Sequence, residues 1–201
     1  AAPFTTSTMQ QDAVRKLGMT TDRTMRTAQQ LYEGIDVGQG AIGLITYMRT
    51  DSVNLADEAL TEIRHYIENK IGKEYLPSAA KQYKTKSKNA QEAHEAIRPT
   101  DITRETVTSN EYDQKLYDLI RRRTLASQMA AAKLENTTIT ISIDSTQLRA
   151  EKALVFEAKG QTVLFDGFLR VYGGKDSTIL PSVSQHTTLE LTQAEARQGF
   201  A

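Results

Sequence analysis

Residues 7–34, STMQQDAVRKLGMTTDRTMRTAQQLYEG, carry the reading that decides the fold. Ser7 and Gln10 have the spacing of a capping box, a hydroxyl at the N-cap and an amide three residues on. Met9, Ala13, Val14 and Leu17 then recur on one helical face, and Gly18 is suited to a helix stop. Thr21 opens a second helix with Met25, Ala28, Leu31 and Tyr32 inward, ending near Gly34. Two helices across a short Gly-containing turn are a helix-turn-helix candidate, and equally a plain helical hairpin in a bundle.

Outward from this pair, a flexible stretch over 35–40 leads to a short strand, Ala41–Arg49. Asn54 is placed to cap a helix with Ala56, Leu60, Ile63, Ile67 and Ile71 inward, stopped by Gly72. Residues 73–90 are polar and Lys-rich, and read as loop. A short helix over Ala90–Ile97 ends before Pro99, since proline disfavours a helical predecessor. Ser109 or Asn110 opens a long helix from Glu111 to about Met129.

Past residue 133 the period changes from helical to alternating. Thr137–Ile143 places three isoleucines on one strand face. Ala153–Glu157 and Thr162–Phe165 flank Lys159-Gly160-Gln161 as a hairpin, with further strands at Phe168–Tyr172 and Thr187–Leu191. The expectation is an α+β chain: a mainly helical domain over 1–133 and a β-rich segment over 134–201.

Composition narrows the function classes. The 201 residues hold 25 Lys and Arg, 25 Asp and Glu, three His and no Cys. Disulfides, thiolate zinc sites and cysteine nucleophiles are thereby excluded. No apolar run approaches the ~20 residues of a membrane helix, so no bilayer span is expected. Ala1–Thr5 has neither a basic nor an apolar leader region, so no secretory signal is expected and cytoplasmic residence fits. Net charge is zero, yet residues 1–133 carry 19 bases and 17 acids while 134–201 carry 6 and 8. Lys81, Lys84, Lys86 and Lys88 form one acid-free cluster and Arg121-Arg122-Arg123 another. Each is either solvated surface or a local phosphate-binding patch, because screening limits a charge's reach to about 10 Å.

Two constellations carry chemistry. On a strand, Tyr47 and Arg49 share a face with Ile45. A phenol with a pKa near 10 is a weak nucleophile at neutral pH and needs nearby positive charge or a base. Arg49 offers that charge and a fork for phosphate oxygens. The pair is a minimal kit for attack on a phosphodiester, or simply two stacked neighbours. In Gln91–Thr100, His94 and Arg98 lie four apart on one helix face. That suits phosphate contact, with a histidine able to move protons, or a solvated helix end. No Asp-x-Asp occurs, and no Walker, G-x-G-x-x-G, G-x-S-x-G or H-E-x-x-H motif.

Gly43-Leu44-Ile45-Thr46-Tyr47-Met48-Arg49-Thr50-Asp51-Ser52 resembles the active-site signature of the type IA topoisomerases, the family of bacterial DNA topoisomerase I. Pro3–Gln11, Leu31–Gly34, Asn89–Thr100, Ala126–Met129 and Phe165–Leu169 resemble further blocks in the same order. The resemblance implies a winged-helix-like tyrosine domain followed by an incomplete β-rich arch segment. It implies Tyr47 as the nucleophile forming a 5′-phosphotyrosine link, with Arg49 positioning the scissile phosphate. It further implies His94 as a DNA or proton-relay contact and Arg98 as a backbone contact. The substrate is DNA, preferentially single-stranded, and the reaction uses no ATP. Family members are several times longer, with Mg²⁺ held in an acidic Toprim domain carrying Asp-x-Asp, and with further DNA-binding regions. These are not in this sequence, so the chain is expected to be a central fragment that is inactive alone, with the missing domains as its partners. The competing readings are a non-catalytic helix-turn-helix DNA-binding module and a hinge or interaction domain.

Overall fold

A computed structural model describes residues 1–36, 40–83, 95–108, 110–143, 155–174, 177–190, 192, 193 and 195. The chain divides into two units, residues 1–134 with 163–176, and residues 135–162 with 177–201.

In the first unit α1 (Thr6–Leu17) and α2 (Thr21–Glu33) flank the turn at Gly18. The cap of α1 is Thr5, two residues before the expected Ser7. Thr5 Oγ1 accepts from Thr8 N, and Thr8 Oγ1 accepts from Thr5 N at 2.9 Å, closing the box with hydroxyls. Gly18 ends the helix with φ +65°, a left-handed conformation that glycine adopts without a Cβ penalty. A two-residue antiparallel hairpin follows, β1 (Ile35–Asp36) and β2 (Ala41–Ile42), pairing Ile35 with Ile42. Helix, turn, helix and hairpin in that order give the winged-helix-like arrangement expected.

α3 (Asp57–Tyr66) starts at Ala56, not Asn54, and runs into a π turn, Ile67–Ile71, then a 3₁₀ turn, Lys73–Tyr75. α4 (Glu111–Gln128) is capped by Asn110, whose side chain accepts from Tyr112 N and Asp113 N. Its buried face, Leu116, Tyr117, Leu119 and Ile120, meets Phe4, Met9, Ala13, Ala28, Leu31, Leu44, Ile45, Met48 and Ile97 in the main core. A second core joins Ile63, Ile67, Tyr75, Ile102, Leu125 and Met129, with Phe165, Phe168 and Val171 packed against it.

The expected helix over Ala90–Ile97 lies largely outside the described residues. Its described end, Glu95–Ile97, is extended, with Ile97 bridging Phe4. The stretch Phe168–Tyr172 is not a strand: Leu169–Tyr172 forms the short helix α5. Gly167 sits so close to the Ala130–Ala132 backbone that a Cβ would lie 2.6 Å from it. Phe168 N donates to Ala130 O. These contacts, with Phe165 stacked on Tyr75, return 163–176 to the helical unit.

β3 (Lys133–Ser142) pairs with β4 (Val155–Phe165), and residues 135–142 and 155–162 of these strands belong to the second unit. β4 is one continuous strand, so Lys159-Gly160-Gln161 is not a hairpin loop. Gly160 instead lets a neighbouring chain approach: Gln161 and Thr178 exchange both backbone hydrogen bonds. Thr187–Glu190 forms no strand. Among the described residues no helix is long and apolar enough to cross a membrane.

Candidate active site

The backbone around Tyr47 is not the regular strand expected. Only Ala41–Ile42 is strand; Ile45 makes an isolated bridge to Pro99, and 46–49 bend. The period-two assignment of faces therefore fails at Ile45, which is buried with Leu44 and Met48. Tyr47 and Arg49 remain exposed on either side of buried Met48. The strap departs from a strand because its hydrogen bonds go to three separate parts of the chain instead of one ladder partner.

From α2, Leu31 O accepts from Leu44 N at 2.7 Å. From the segment after His94, Arg98 O accepts from Thr46 N at 2.9 Å, and Leu44 O accepts from Thr100 N at 3.0 Å. Thr46 Oγ1 accepts from Arg98 N and donates to Ala96 O at 2.6 Å. From the start of α1, Thr6 N donates to Thr50 O, Thr6 Oγ1 donates to Met48 O at 2.7 Å, and Thr50 N donates to Thr6 Oγ1. Residues 44–50 are thus fixed on both sides of Tyr47, with Met48 as an apolar anchor beneath it. A Cβ at Gly43 would lie 2.8 Å from Tyr32 O, so only glycine fits where the strap crosses the end of α2.

Arg49, with Thr5, Thr6, Ser7, Thr50 and Asp51, lines an open groove of about 460 Å³ at the first turn of α1. A guanidinium and several hydroxyls suit a phosphodiester, and Asp51 places one carboxylate on the rim. A second groove of about 430 Å³ lies between α3 and Thr100–Thr103. Its lining includes Tyr66, whose hydroxyl donates to Glu105, and Arg121 donates to both. Tyr66 and Arg121 hold the Glu105 carboxyl below its ordinary pKa. This groove contains neither Tyr47 nor Arg49.

His94 lies outside the described residues. Arg98 belongs to the strap's partner segment through its backbone, but its guanidinium is occupied. Nε and Nη2 donate to Glu95 at 2.5 and 3.1 Å, and Nη1 donates to Pro99 O at 2.9 Å. Glu95 also accepts from the N–H of Ala56, the N-cap residue of α3, tying the start of that helix to this segment. Of the basic clusters, Arg121 and Arg123 face inward. Arg123 donates to Ala2 O and the Tyr172 hydroxyl and stacks on Phe4. Lys81 donates to Met129 O, Arg122 is exposed, and Lys84, Lys86 and Lys88 lie outside the described residues. The contacts that sequence reasoning missed are the hydroxyls of Thr6 and Thr46, the backbone of Thr50 and the ring of Tyr32. Their one sequence signal is that threonines bracket Tyr47 and that Tyr32 precedes the glycine stop of α2.

The chain belongs to the DNA topoisomerase family, which matches it over residues 1–201. It is 52% identical over 184 residues to DNA topoisomerase 1 of Xylella fastidiosa, covering 88% of this chain and 22% of that protein. It is 44% identical over 199 residues to DNA topoisomerase 1 of Helicobacter pylori, covering 96% and 26%. The structure of full-length topoisomerase I from Thermotoga maritima superposes with a TM-score of 0.72 at 36% identity, covering 91% of this chain and 29% of that one. The α+β class and the resemblance drawn from the motifs are borne out. The chain spans about a quarter of the length of these relatives.

Proposed function

We propose that this chain carries the nucleophile of a type IA DNA topoisomerase. Tyr47 Oη attacks a phosphorus of one DNA strand, a phosphotyrosine bond forms to the 5′ side, and the bond to the 3′ oxygen breaks. The phenol proton leaves to a base, and the departing 3′ oxygen takes up a proton. The second strand passes and the 3′ hydroxyl reverses the attack. The phosphotyrosine conserves the bond energy, so no ATP is consumed, and negatively supercoiled DNA relaxes. Arg49 holds the phosphate and offsets the charge that develops on it. His94 serves as a DNA or proton-relay contact. Arg98 reaches the DNA backbone only by leaving Glu95; bound to Glu95, it braces the segment behind Tyr47.

The observation that supports this reading is an exposed phenol on a backbone immobilised from three directions. A nucleophile gains most when its approach is fixed before the substrate arrives. Among the described residues no three histidine or carboxylate side chains converge, so they do not fit a Mg²⁺ cage. The proposal places Mg²⁺ on an acidic Toprim domain elsewhere in a longer chain, together with further DNA-binding regions, acting on single-stranded DNA in the cytoplasm. A supercoil relaxation assay tests the division of labour. The isolated 201 residues should not relax DNA with Mg²⁺, whereas the full-length chain should. Relaxation by the isolated chain, lost in Tyr47→Phe, would contradict a split site.

A further inference from the structure

Tyr47 has an aromatic neighbour. The ring of Tyr32, in the last turn of α2, meets it edge to face, with centroids 5.3 Å apart and planes at 63°. In that geometry the positive edge of one ring lies against the negative face of the other. The contact is not forced by burial, since Tyr32 is 41% and Tyr47 47% exposed. It is imposed by the backbone. Leu44 N donates to Leu31 O, and Gly43 allows the strap to run within contact of Tyr32 O. The two rings are carried side by side by the closest approach between α2 and the strap.

A tyrosine side chain on an exposed turn has several rotamers open to it. A clamped backbone fixes its Cα and leaves the ring free to swing. Attack in line with the leaving oxygen needs the phenol oxygen about 3–3.5 Å from phosphorus. We propose that Tyr32 is a positioning residue: its ring holds the Tyr47 ring in one rotamer and aims the phenol at the phosphate, without touching the phosphate itself. The inference rests on Tyr47 as the nucleophile. It requires the Tyr32 ring and not its hydroxyl.

The test is single-turnover cleavage of a labelled single-stranded oligonucleotide by the full-length chain, with binding affinity measured in parallel. Tyr32→Phe should cleave within about two-fold of the parent. Tyr32→Leu and Tyr32→Gln, an apolar and a polar substitution at this exposed helix site, should both lower the saturated rate by about 3- to 10-fold, the range an aromatic pair's coupling corresponds to. Affinity and melting temperature should be unchanged. Unchanged rates in both variants would overturn the proposal. So would weaker affinity at an unchanged saturated rate, which would make Tyr32 a base-stacking contact. An equal loss in Tyr32→Phe would also overturn it, by assigning the role to the hydroxyl. Tyr47→Phe is run alongside: an adduct in that variant would refute the nucleophile reading itself, separately from the role of Tyr32.

Discussion

Thr6 and Thr50 hold each other through a reciprocal pair of hydrogen bonds. Thr6 N donates to Thr50 O at 2.9 Å, and Thr50 N donates to Thr6 Oγ1 at 2.9 Å. One threonine starts a helix and the other closes the strap that carries Tyr47. Thr6→Val keeps the shape and removes the acceptor, leaving the N–H of largely buried Thr50 without it. The expected cost is about 1–3 kcal/mol of unfolding free energy, with Thr6→Ser near the parent value. Urea unfolding of the three chains measures it. A Thr6→Val midpoint equal to the parent would show that the clamp contributes nothing.

Gly43 and Gly18 are needed for different reasons, and substitution separates them. Gly43→Ala drives a methyl into Tyr32 O across a 2.8 Å gap, with backbone on both sides. It should cost about 1–3 kcal/mol and displace the strap, lowering both melting temperature and cleavage. Gly18→Ala meets no atom within 4 Å and pays only for its left-handed φ, about 1–2 kcal/mol. It should lower stability and leave cleavage by the folded enzyme unchanged. Melting curves with cleavage rates on the full-length chain check both.

What the sequence made legible was whatever rests on local signals. The apolar period of α1, α2 and α4 and the glycine stops of α1 and α2 were readable to within a residue or two, because caps and core faces lie within one or two helical turns; Val14 and Tyr32, expected inward, are exposed. The caps of α1 and α3 were displaced. Thr5 closes its box with a second hydroxyl, Thr8, and α3 starts at Ala56, whose N–H is taken by Glu95 from 39 residues away. Tyr47 and Arg49 stood out by residue type and motif. The shape of the backbone beneath them did not, since Thr46 and Leu44 bond to residues about 50 positions later. Phe168–Tyr172 alternates like a strand, but Gly167 and the Ala130 carbonyl turn it into a helical turn.

Arg49 and Arg98 should separate in a salt titration. If Arg49 contacts phosphate, Arg49→Ala should make the dependence of log affinity on log salt shallower by about 0.7 on single-stranded DNA. Arg49→Lys should raise the cleavage barrier by about 2–4 kcal/mol, since it keeps charge but loses the planar fork. Arg98, committed to Glu95 and Pro99 O, should leave the slope unchanged when replaced by Ala, while lowering stability. A slope that falls by the same amount in Arg98→Ala would show that Arg98 releases Glu95 and binds DNA.

One buried tyrosine, Tyr117, and one half-buried tyrosine, Tyr172, set an alkaline limit. Burial pushes Tyr117 up to about 12, and its hydroxyl donates to Asp101 O and Arg104 O. Burial, then the hydrogen bond to Asp12, also pushes Tyr172 up to about 12. In the unfolded chain both titrate near 10. Between pH 10 and 12 the unfolded state therefore binds fewer protons than the folded one, and stability falls as pH rises. Urea midpoints at pH 8 and pH 11 should differ in that direction. Tyr117→Phe, about 1 kcal/mol less stable at pH 8, should show a smaller drop. An equal drop would place the alkaline sensitivity elsewhere.

The central claim is that Tyr47 is the residue joined to DNA. The direct measurement incubates the full-length chain with Mg²⁺ and a labelled single-stranded oligonucleotide, stops the reaction with denaturant, and maps the labelled peptide after proteolysis. The account predicts a 5′-phosphotyrosine on the peptide containing Tyr47. It also predicts no adduct in Tyr47→Phe, whose fold and non-covalent DNA affinity match the parent. An adduct in Tyr47→Phe, or a label on any other tyrosine, would contradict it.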